Sequence, residues 1–333
     1  MPVERVILPQ TSLRDSGDVL RALAVKQIQS LSRRRVLRWL ATTGAVALAR
    51  PPTALSQQDF VLTRPIPSSG EALPLVGLGS WITFNVGNDN VARDSCADVV
   101  RAFFNAGGRL IDSSPMYGSS QPVIGYGLKK LGQPKVFSAD KVWISSGSRG
   151  SSQIEASRQH WGVPKFDLLQ VHNLLSWEEH LRTLFAMKAA GQVRHVGITT
   201  SEGRRHSDVE KIMRTQPLDF VQVTYNILDR NVENRILPLA RDRGIGVIIN
   251  RPFREGELIK KIERHRLPGW AADIDCSNWA QFILKFIISH PAVTCAIPAT
   301  SRVDHVQENM AAARGLLPDD AMRARMIAHV EKL

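Results

Sequence analysis

From residue 75 onward, short apolar and β-branched runs alternate with longer stretches whose apolar positions recur at helical spacing. The runs predict strands over 75–79, 109–112, 136–139, 166–171, 193–199, 220–225, 244–249 and 293–298. Between and after them the 3.6-residue pattern predicts helices over 91–106, 121–131, 151–161, 177–190, 205–215, 232–243, 277–289 and 303–314. Eight strand–helix alternations in roughly 240 residues match a (β/α)8 barrel, in the α/β class. The rival is a doubly wound sheet, which carries a Gly-rich phosphate loop after its first strand. The string LPLVGLGSW contains Gly77 and Gly79 and then Ser80-Trp81, with no third glycine and no helix start, so the barrel is favoured. There is no internal repeat. The proline-containing segment 51–74 reads as a linker leading into the bottom of the barrel.

Charge changes the picture only at one end. The 333-residue chain carries a formal net charge of +12, which raises the question of nucleic acid. Residues 1–50 hold nine Lys or Arg against three acids, a net of +6, so half the excess lies in one sixth of the chain. The remainder is scattered, with no basic run longer than two and no interleaved aromatics, and no nucleic-acid partner is expected. Within the basic segment, SRRRVLRWLATTGAVALA places arginines before an apolar run too short to span a bilayer, followed by the small-x-small sites Ala47-Leu48-Ala49 and Ala54-Leu55-Ser56. The string from Ser32 to Arg38 resembles a twin-arginine export signal, departing chiefly at Val36. A basic helix lying on a surface is the alternative. The expectation is a signal and linker region over 1–56, a single barrel domain over 57–333, and a periplasmic or otherwise exported protein that meets the export machinery. If the signal does not function, the protein stays cytoplasmic. The 31-residue lead before Ser32 leaves open a translation start downstream of Met1, and the mature chain is expected to begin near Arg50 or Gln57.

Three cysteines, Cys96, Cys276 and Cys295, make no disulfide framework and fit no zinc spacing, although an oxidising compartment leaves a single pairing open.

In a barrel, chemistry gathers at the carboxyl ends of the strands. Reading those ends in order gives Asp112 and Tyr117, then Lys141, His172-Asn173, Thr199-Thr200, Gln222, and Asn250-Arg251-Pro252-Phe253. An acid, a phenol, an ammonium and an imidazole therefore converge on one mouth. A carbonyl receiving a hydride develops alkoxide charge and needs a proton donor in a positive environment. Tyr117 suits the donor. Its ordinary pKa near 10 is poorly matched to neutral pH, so a neighbouring Lys141, itself anchored by Asp112, is expected to lower it. His172 is placed to orient the substrate oxygen. Ser119 is the expected cap of the helix that follows.

At these residues the sequence resembles the aldo/keto reductase family, over nearly all of residues 72–315. The matching strings are IDSSPMYG, VFSADKVW, DLLQVHN, GQVRHVGIT, DFVQVTYN, INRPF and CAIPATSRVDHVQENM. The resemblance implies NAD(P)H-dependent hydride transfer between cofactor and an aldehyde or ketone, a catalytic tetrad of Asp112, Tyr117, Lys141 and His172, and no metal. It implies Asn173, Thr199, Thr200 and Gln222 at the nicotinamide carboxamide, with Asn250 and Arg251 at the ring and pyrophosphate. It further implies Thr300, Ser301 and Arg302 at a 2′-phosphate, and Glu308 and Asn309 at the adenine. An arginine and the free N–H groups of a helix starting near 303 suit a phosphate dianion, so NADP(H) is expected over NAD(H). Trp81 and Trp143 are expected to wall the substrate pocket, with Trp270 and Trp279 flanking a long connection over the mouth. The chain departs from the family pattern at Asp140, usually a small residue, at Thr200, and at Asn250, where an aromatic commonly stacks on the ring. An alternative register with VWISSG as the third strand would put Gly147 at the lysine position; the onward spacing favours Lys141. The expected partner is a small carbonyl or alcohol, and the expected assembly a monomer or weak oligomer. A nucleotide-binding barrel acting as a redox sensor or scaffold without turnover remains the second reading. A metal-dependent hydrolase lacks the required His and Asp cluster.

Overall fold

The computed structural model describes residues 60–333, so the arginine-rich segment and the expected signal lie outside the described residues. Ten strands run in chain order: β1 (Thr63–Pro65), β2 (Ala72–Pro74), β3 (Leu78–Gly79), β4 (Leu110–Asp112), β5 (Phe137–Val142), β6 (Phe166–His172), β7 (Val193–Thr199), β8 (Phe220–Thr224), β9 (Gly246–Asn250) and β10 (Cys295–Ala296). The helices are α1 (Asn90–Asn105), α2 (Ser120–Lys130), α3 (Gly150–Trp161), α4 (Trp177–Ala189), α5 (His206–Thr215), α6 (Ile236–Arg243), α7 (Glu257–Ile262), α8 (Trp279–Ile288), α9 (Val303–Ala311) and α10 (Asp320–Val330). Strands β3 to β10 pair in parallel, each with its sequence neighbour. The sheet closes on itself where the amide of Gly77 donates to Ala296 at 2.8 Å and that of Gly79 to Pro298 at 3.0 Å. A Cβ at Gly77 would meet the Leu110 carbonyl at 2.8 Å, and one at Gly79 the Ile297 carbonyl at 2.7 Å. Only glycine lets the short first strand slot between its neighbours. The expected (β/α)8 barrel is the fold observed.

Alternation along the strands separates two cores. Outward residues such as Ile111, Leu169, Val171, Val221 and Val223 pack against the helices. Inward residues Leu110, Phe137, Leu168, Phe220 and Ile248 fill the lower barrel. Below them lies a hairpin that the sequence pattern did not reveal. Residues 63–74, expected as part of a linker, form the antiparallel pair β1 and β2; Leu73 within β2 and Ile66 just after β1 plug the barrel floor. Around this plug Glu71 pairs with Arg109 at 2.8 Å and with Arg194, which also reaches Asp167 at 2.6 Å. Two further helices lay outside the predicted set. The last, α10, is capped by Asp319 and covers the wall through Met326 and Val330, and α7 is a short element after β9.

Helix boundaries follow side-chain chemistry. Asp89 caps α1 by accepting from the amide of Ala92 at 2.9 Å, and Asn278 caps α8 through Gln281. Ser119 does not cap α2. Its hydroxyl accepts from the amide of Gly87 at 2.7 Å and donates to Asn85, tying the loop before α2 to the loop after β3.

Candidate active site

The carboxyl ends of the strands carry the strain of the molecule. Of eleven non-glycine residues with positive φ among the described residues, nine directly follow barrel strands: Ile82, then Asn173, Leu174 and Ser176, then Glu202 and Arg205, then Arg251, Arg254 and Glu255. Strained backbone gathers at functional sites because the surroundings must over-determine it.

The four expected residues meet there. Asp112 ends β4 with its side chain inward, and Lys141 projects inward from the adjacent β5, both almost fully buried. Lys141 lies within β5 rather than after it, because the strand runs three residues beyond the predicted end and takes in Asp140, Lys141 and Val142. The register question closes with it: β5 is 137–142, and Gly147 lies in a short turn beyond it. Lys141 Nζ donates to Asp112 Oδ2 at 2.5 Å and to the Ser113 carbonyl at 2.8 Å. The other oxygen of Asp112 accepts from Gln222 Nε2 at 2.9 Å, with Gln170 Nε2 at 3.4 Å. Asp112, Gln170 and Gln222 come from β4, β6 and β8, so they form one inward layer contributed by alternate strands. The half-buried Tyr117 sits over this pair, with Lys141 Nζ 5.1 Å from its ring centre. His172 meets the same ring edge-on at 5.6 Å, and its Nδ1 shares a 2.8 Å hydrogen bond with Ser114 Oγ.

The electrostatics assign protonation states. Burial depresses His172 to about 2, helped by the cation of Lys141, so the imidazole is neutral. For Lys141, burial pulls downward, but Asp112 and Tyr117 outweigh it and the net shift is upward, keeping the ammonium charged. Tyr117 differs from expectation. Burial raises it above its ordinary value, with Lys141 pulling down and Asp112 pushing up. The lysine therefore limits the rise rather than producing a net fall, because its charge is already neutralised by Asp112.

On the opposite side of the mouth, Thr200 is buried and its Oγ1 has no partner, and the same holds for Oε1 of Gln170. Such orphaned polar atoms mark a place where a polar group fits. Gln222 is turned toward Asp112, while Thr199 Oγ1 approaches its Oε1 at 3.4 Å. Asn250 is held by the Thr200 carbonyl, which accepts at 2.9 Å, and by Thr224 Oγ1, which donates at 2.6 Å. A planar amide tied into the wall thus stands where an aromatic was expected by family pattern. Beside it is a cavity of about 210 Å³ lined by Glu202, His206, Thr224, Arg251 and Arg254 among others. Arg251 pairs with Glu202 and Glu255, so its charge is shared. Asn173 follows β6 with φ 53°, its carbonyl accepting from Arg205 at 3.2 Å.

Farther along, Thr300 is buried, Ser301 and Arg302 are exposed before α9, Glu308 is half-buried and Asn309 buried. Arg302 forms an ion pair with Asp304, so the guanidinium expected at a 2′-phosphate already has a carboxylate partner. Trp143, 40% exposed, lies at the mouth with its ring 6.5 Å from that of His172, and Trp81 is half-buried in the loop after β3. Trp270 and Trp279 pack into the helical layer against Phe282 and His329. All three cysteines are buried free thiols, and burial pushes Cys96 up to about 11 and Cys276 to about 12. Among the described residues no group of three or more His, Cys, Asp or Glu side chains is arranged to hold a metal, and no helix is long and apolar enough to cross a membrane.

Sequence reasoning passed over Ser114, Gln170, Thr224, His206 and Arg254. Gln170 had a signal: it lies two residues before His172 in an apolar run, hence on the same inward face.

Residues 75–328 match the aldo/keto reductase family, and the chain belongs to it. Two curated relatives come from Escherichia coli. An NADH-specific methylglyoxal reductase is 28% identical over 241 residues, covering 62% of this chain and 72% of its own. A second methylglyoxal reductase is 28% identical over 251 residues, covering 73% of this chain and 87% of its own. A crystal structure of an aldo/keto reductase from Klebsiella pneumoniae in complex with NADP and acetate superposes with a TM-score of 0.68 at 22% identity, covering 78% of this chain and 93% of that one; this is a likeness of fold.

Proposed function

We propose that this aldo/keto reductase is a carbonyl reductase in which Tyr117 donates the proton to the developing alkoxide. The observation that carries the reading is the buried Lys141–Asp112 pair directly beneath the Tyr117 ring, with a neutral His172 at its edge. Lys141 holds fixed positive charge near the phenol, so the phenolate left after proton transfer is stabilised without reorganisation. Asp112 and the Ser113 carbonyl fix that ammonium in place. His172 hydrogen-bonds the substrate oxygen and orients it, with Ser114 holding the ring. Proton donation of this kind contributes about 10² to 10⁴ in rate.

The residues present fit a nicotinamide dinucleotide. The free Oγ1 of Thr200, with Asn173, Thr199 and Gln222, suits a carboxamide. The cavity bearing Arg251, Arg254 and His206, beside Asn250, suits a pyrophosphate. Thr300, Ser301 and Arg302 suit a 2′-phosphate, with Glu308 and Asn309 at the adenine. The cofactor, when bound, supplies the hydride. NADP(H) is the preferred form, since the Arg302–Asp304 pair is solvent-exposed and its guanidinium is free to turn to a phosphate dianion at low cost. The substrate is a small aldehyde or ketone, walled by Trp81 and Trp143; methylglyoxal, named for both E. coli relatives, is the first carbonyl to try.

The test is oxidation of NADPH and of NADH by the purified protein against methylglyoxal and a panel of aldehydes and ketones. Turnover with NADPH favoured supports the proposal. Tight nucleotide binding with no turnover on any carbonyl would support the sensor or scaffold reading, which the Asn250 departure favours.

We further propose that the N-terminal segment directs export. Expressed in bacteria, the wild-type chain is expected in the periplasmic fraction and an Arg33→Lys/Arg34→Lys variant in the cytoplasm. Identical distribution of the two would refute it. A reductase exported already folded would carry its cofactor inside the barrel, and unusually slow cofactor release is then expected.

A further inference from the structure

Near the mouth the outward face of the barrel wall is aliphatic, as at Ile111, Val142, Leu169 and Val171. Asp140 breaks this pattern. Adjacent residues of a strand point to opposite faces, so while Lys141 enters the barrel, Asp140 is driven between β5 and the helices α2 and α3, where it is wholly buried. Its Oδ1 accepts from the amide of Lys141 at 2.6 Å and from Gln121 Nε2 at 3.1 Å. Its Oδ2 accepts from the same Gln121 nitrogen at 2.9 Å and from Trp161 Nε1 at 2.5 Å. Gln121 is in turn fixed by Ser157 Oγ at 2.9 Å. Every partner of the carboxylate is a donor and none accepts a proton from it, so the hydrogen bonds favour the charged form against the cost of burial. Burying a carboxylate is costly, and an aliphatic residue would pack this wall as well as it does elsewhere. The charge is hydrogen-bonded to the backbone amide of Lys141, whose ammonium lies on the inward side of the same strand beside Tyr117.

We propose that Asp140 is a positioning residue of the tetrad, a second buried negative charge that keeps Lys141 cationic and Tyr117 in its protonated, donor form. This rests on the reductase reading of the same site. Among the described residues, three ionisable groups couple to it, all from the inward side of the sheet. On β5 and β4 these are Lys141 and Asp112, and from the loop after β4 it is Tyr117, on which Asp140 acts to raise the phenol. The helices bring none: Lys129 and Lys130 of α2 are exposed, as is His160 of α3, and Glu155 and Arg158 of α3 pair with each other at the surface. Burial pushes Asp140 up to about 7, with the amide and charge of Lys141 and Gln121 opposing, so its effect is full at alkaline pH, where Tyr117 is read.

The experiment is an ultraviolet tyrosinate titration of the full chain. The sequence has three tyrosines, so each protein is read as the difference from its own Tyr117→Phe counterpart. Asp140→Ser is expected to lower the Tyr117 midpoint by roughly one pH unit. Asp140→Asn, which removes the charge and keeps the volume, gives the same answer should the serine variant lose its fold. Gln121→Glu/Asp140→Ser returns a carboxylate to the pocket and brings the midpoint back toward wild type, an effect that a packing role would not produce. An unchanged midpoint in the folded single variants, or no recovery in the double variant, would overturn the proposal. No substrate is needed. A shift in a protein that reduces no carbonyl would therefore remove the reductase reading alone, and active enzyme without a shift would remove only this one.

Discussion

The two ends of the barrel are built by the same strands and differ within two to four residues. At the amino end the inward side chains include Leu110, Phe137, Leu168, Phe220 and Ile248, with one imidazole, His195, packed between Phe137 and Phe220; farther along the strands they are Asp112, Lys141, Gln170 with His172, Gln222 and Asn250. The floor is closed by the β1–β2 hairpin and a ring of arginine–carboxylate pairs, and of the non-glycine residues with positive φ only Gln133 lies in a loop entering a barrel strand at this end. The mouth carries the strained residues, the orphaned hydroxyl of Thr200 and a buried ion pair. The floor is thus arranged for stability, and the mouth holds polar groups whose presence costs stability and serves chemistry.

Replacing Lys141 with Met attacks the mouth where the comparison is sharpest, leaving Asp112 charged and buried. A loss of about 3–5 kcal/mol in stability is expected together with loss of turnover, and Asp112→Asn/Lys141→Met recovers much of the stability but none of the activity. Denaturant unfolding checks this; equal stability of single and double variants would break the account. Phe220→Ala at the floor is expected to cost a similar or slightly smaller amount, about 3–4 kcal/mol, while kcat/KM below the unfolding temperature stays near wild type. A large fall in kcat/KM would show that the two ends are not separable.

His172 sharpens the comparison through pH. The unfolded chain protonates this histidine near 6.5, whereas the folded protein resists until about 2. The stability that neutral His172 confers is complete above pH 6.5 and is lost as pH falls toward 2, by about 1.4 kcal/mol per unit in the steepest part. Against His172→Gln, wild type should therefore lose more stability between pH 6 and pH 4; parallel curves would mean that the imidazole is not held neutral. The smallest effect belongs to the floor's outer ring. Arg109→Gln breaks a part-exposed pair with Glu71 and is expected to cost about 0.2–1 kcal/mol with kinetics unchanged.

The mouth was more legible than the floor. The strands and most helices follow from alternation and spacing, and the four residues that the family resemblance implied, Asp112, Tyr117, Lys141 and His172, do converge. The hairpin was missed because β1 and β2 are three residues each and end in Pro65 and Pro74, which read as linker. Lys141 was placed beyond its strand because Asp140 and Lys141 interrupt the apolar run, and charged residues mark a strand's end only when no partner waits inside. The partners, Asp112 for one and Gln121 with Trp161 for the other, lie from 19 to 29 residues away in sequence, and no local pattern carries them. The net pKa of Tyr117 was out of reach for the same reason, since it balances burial against Lys141 and Asp112.

In the proposed reaction Tyr117 gives the proton while the rest of the mouth binds the cofactor. NADPH oxidation with methylglyoxal, measured for wild type and Tyr117→Phe beside a fluorescence titration of NADPH, tests it directly. Tyr117→Phe is expected to lower kcat by about 10² or more with the nucleotide affinity retained. Equal turnover by the two proteins would contradict it.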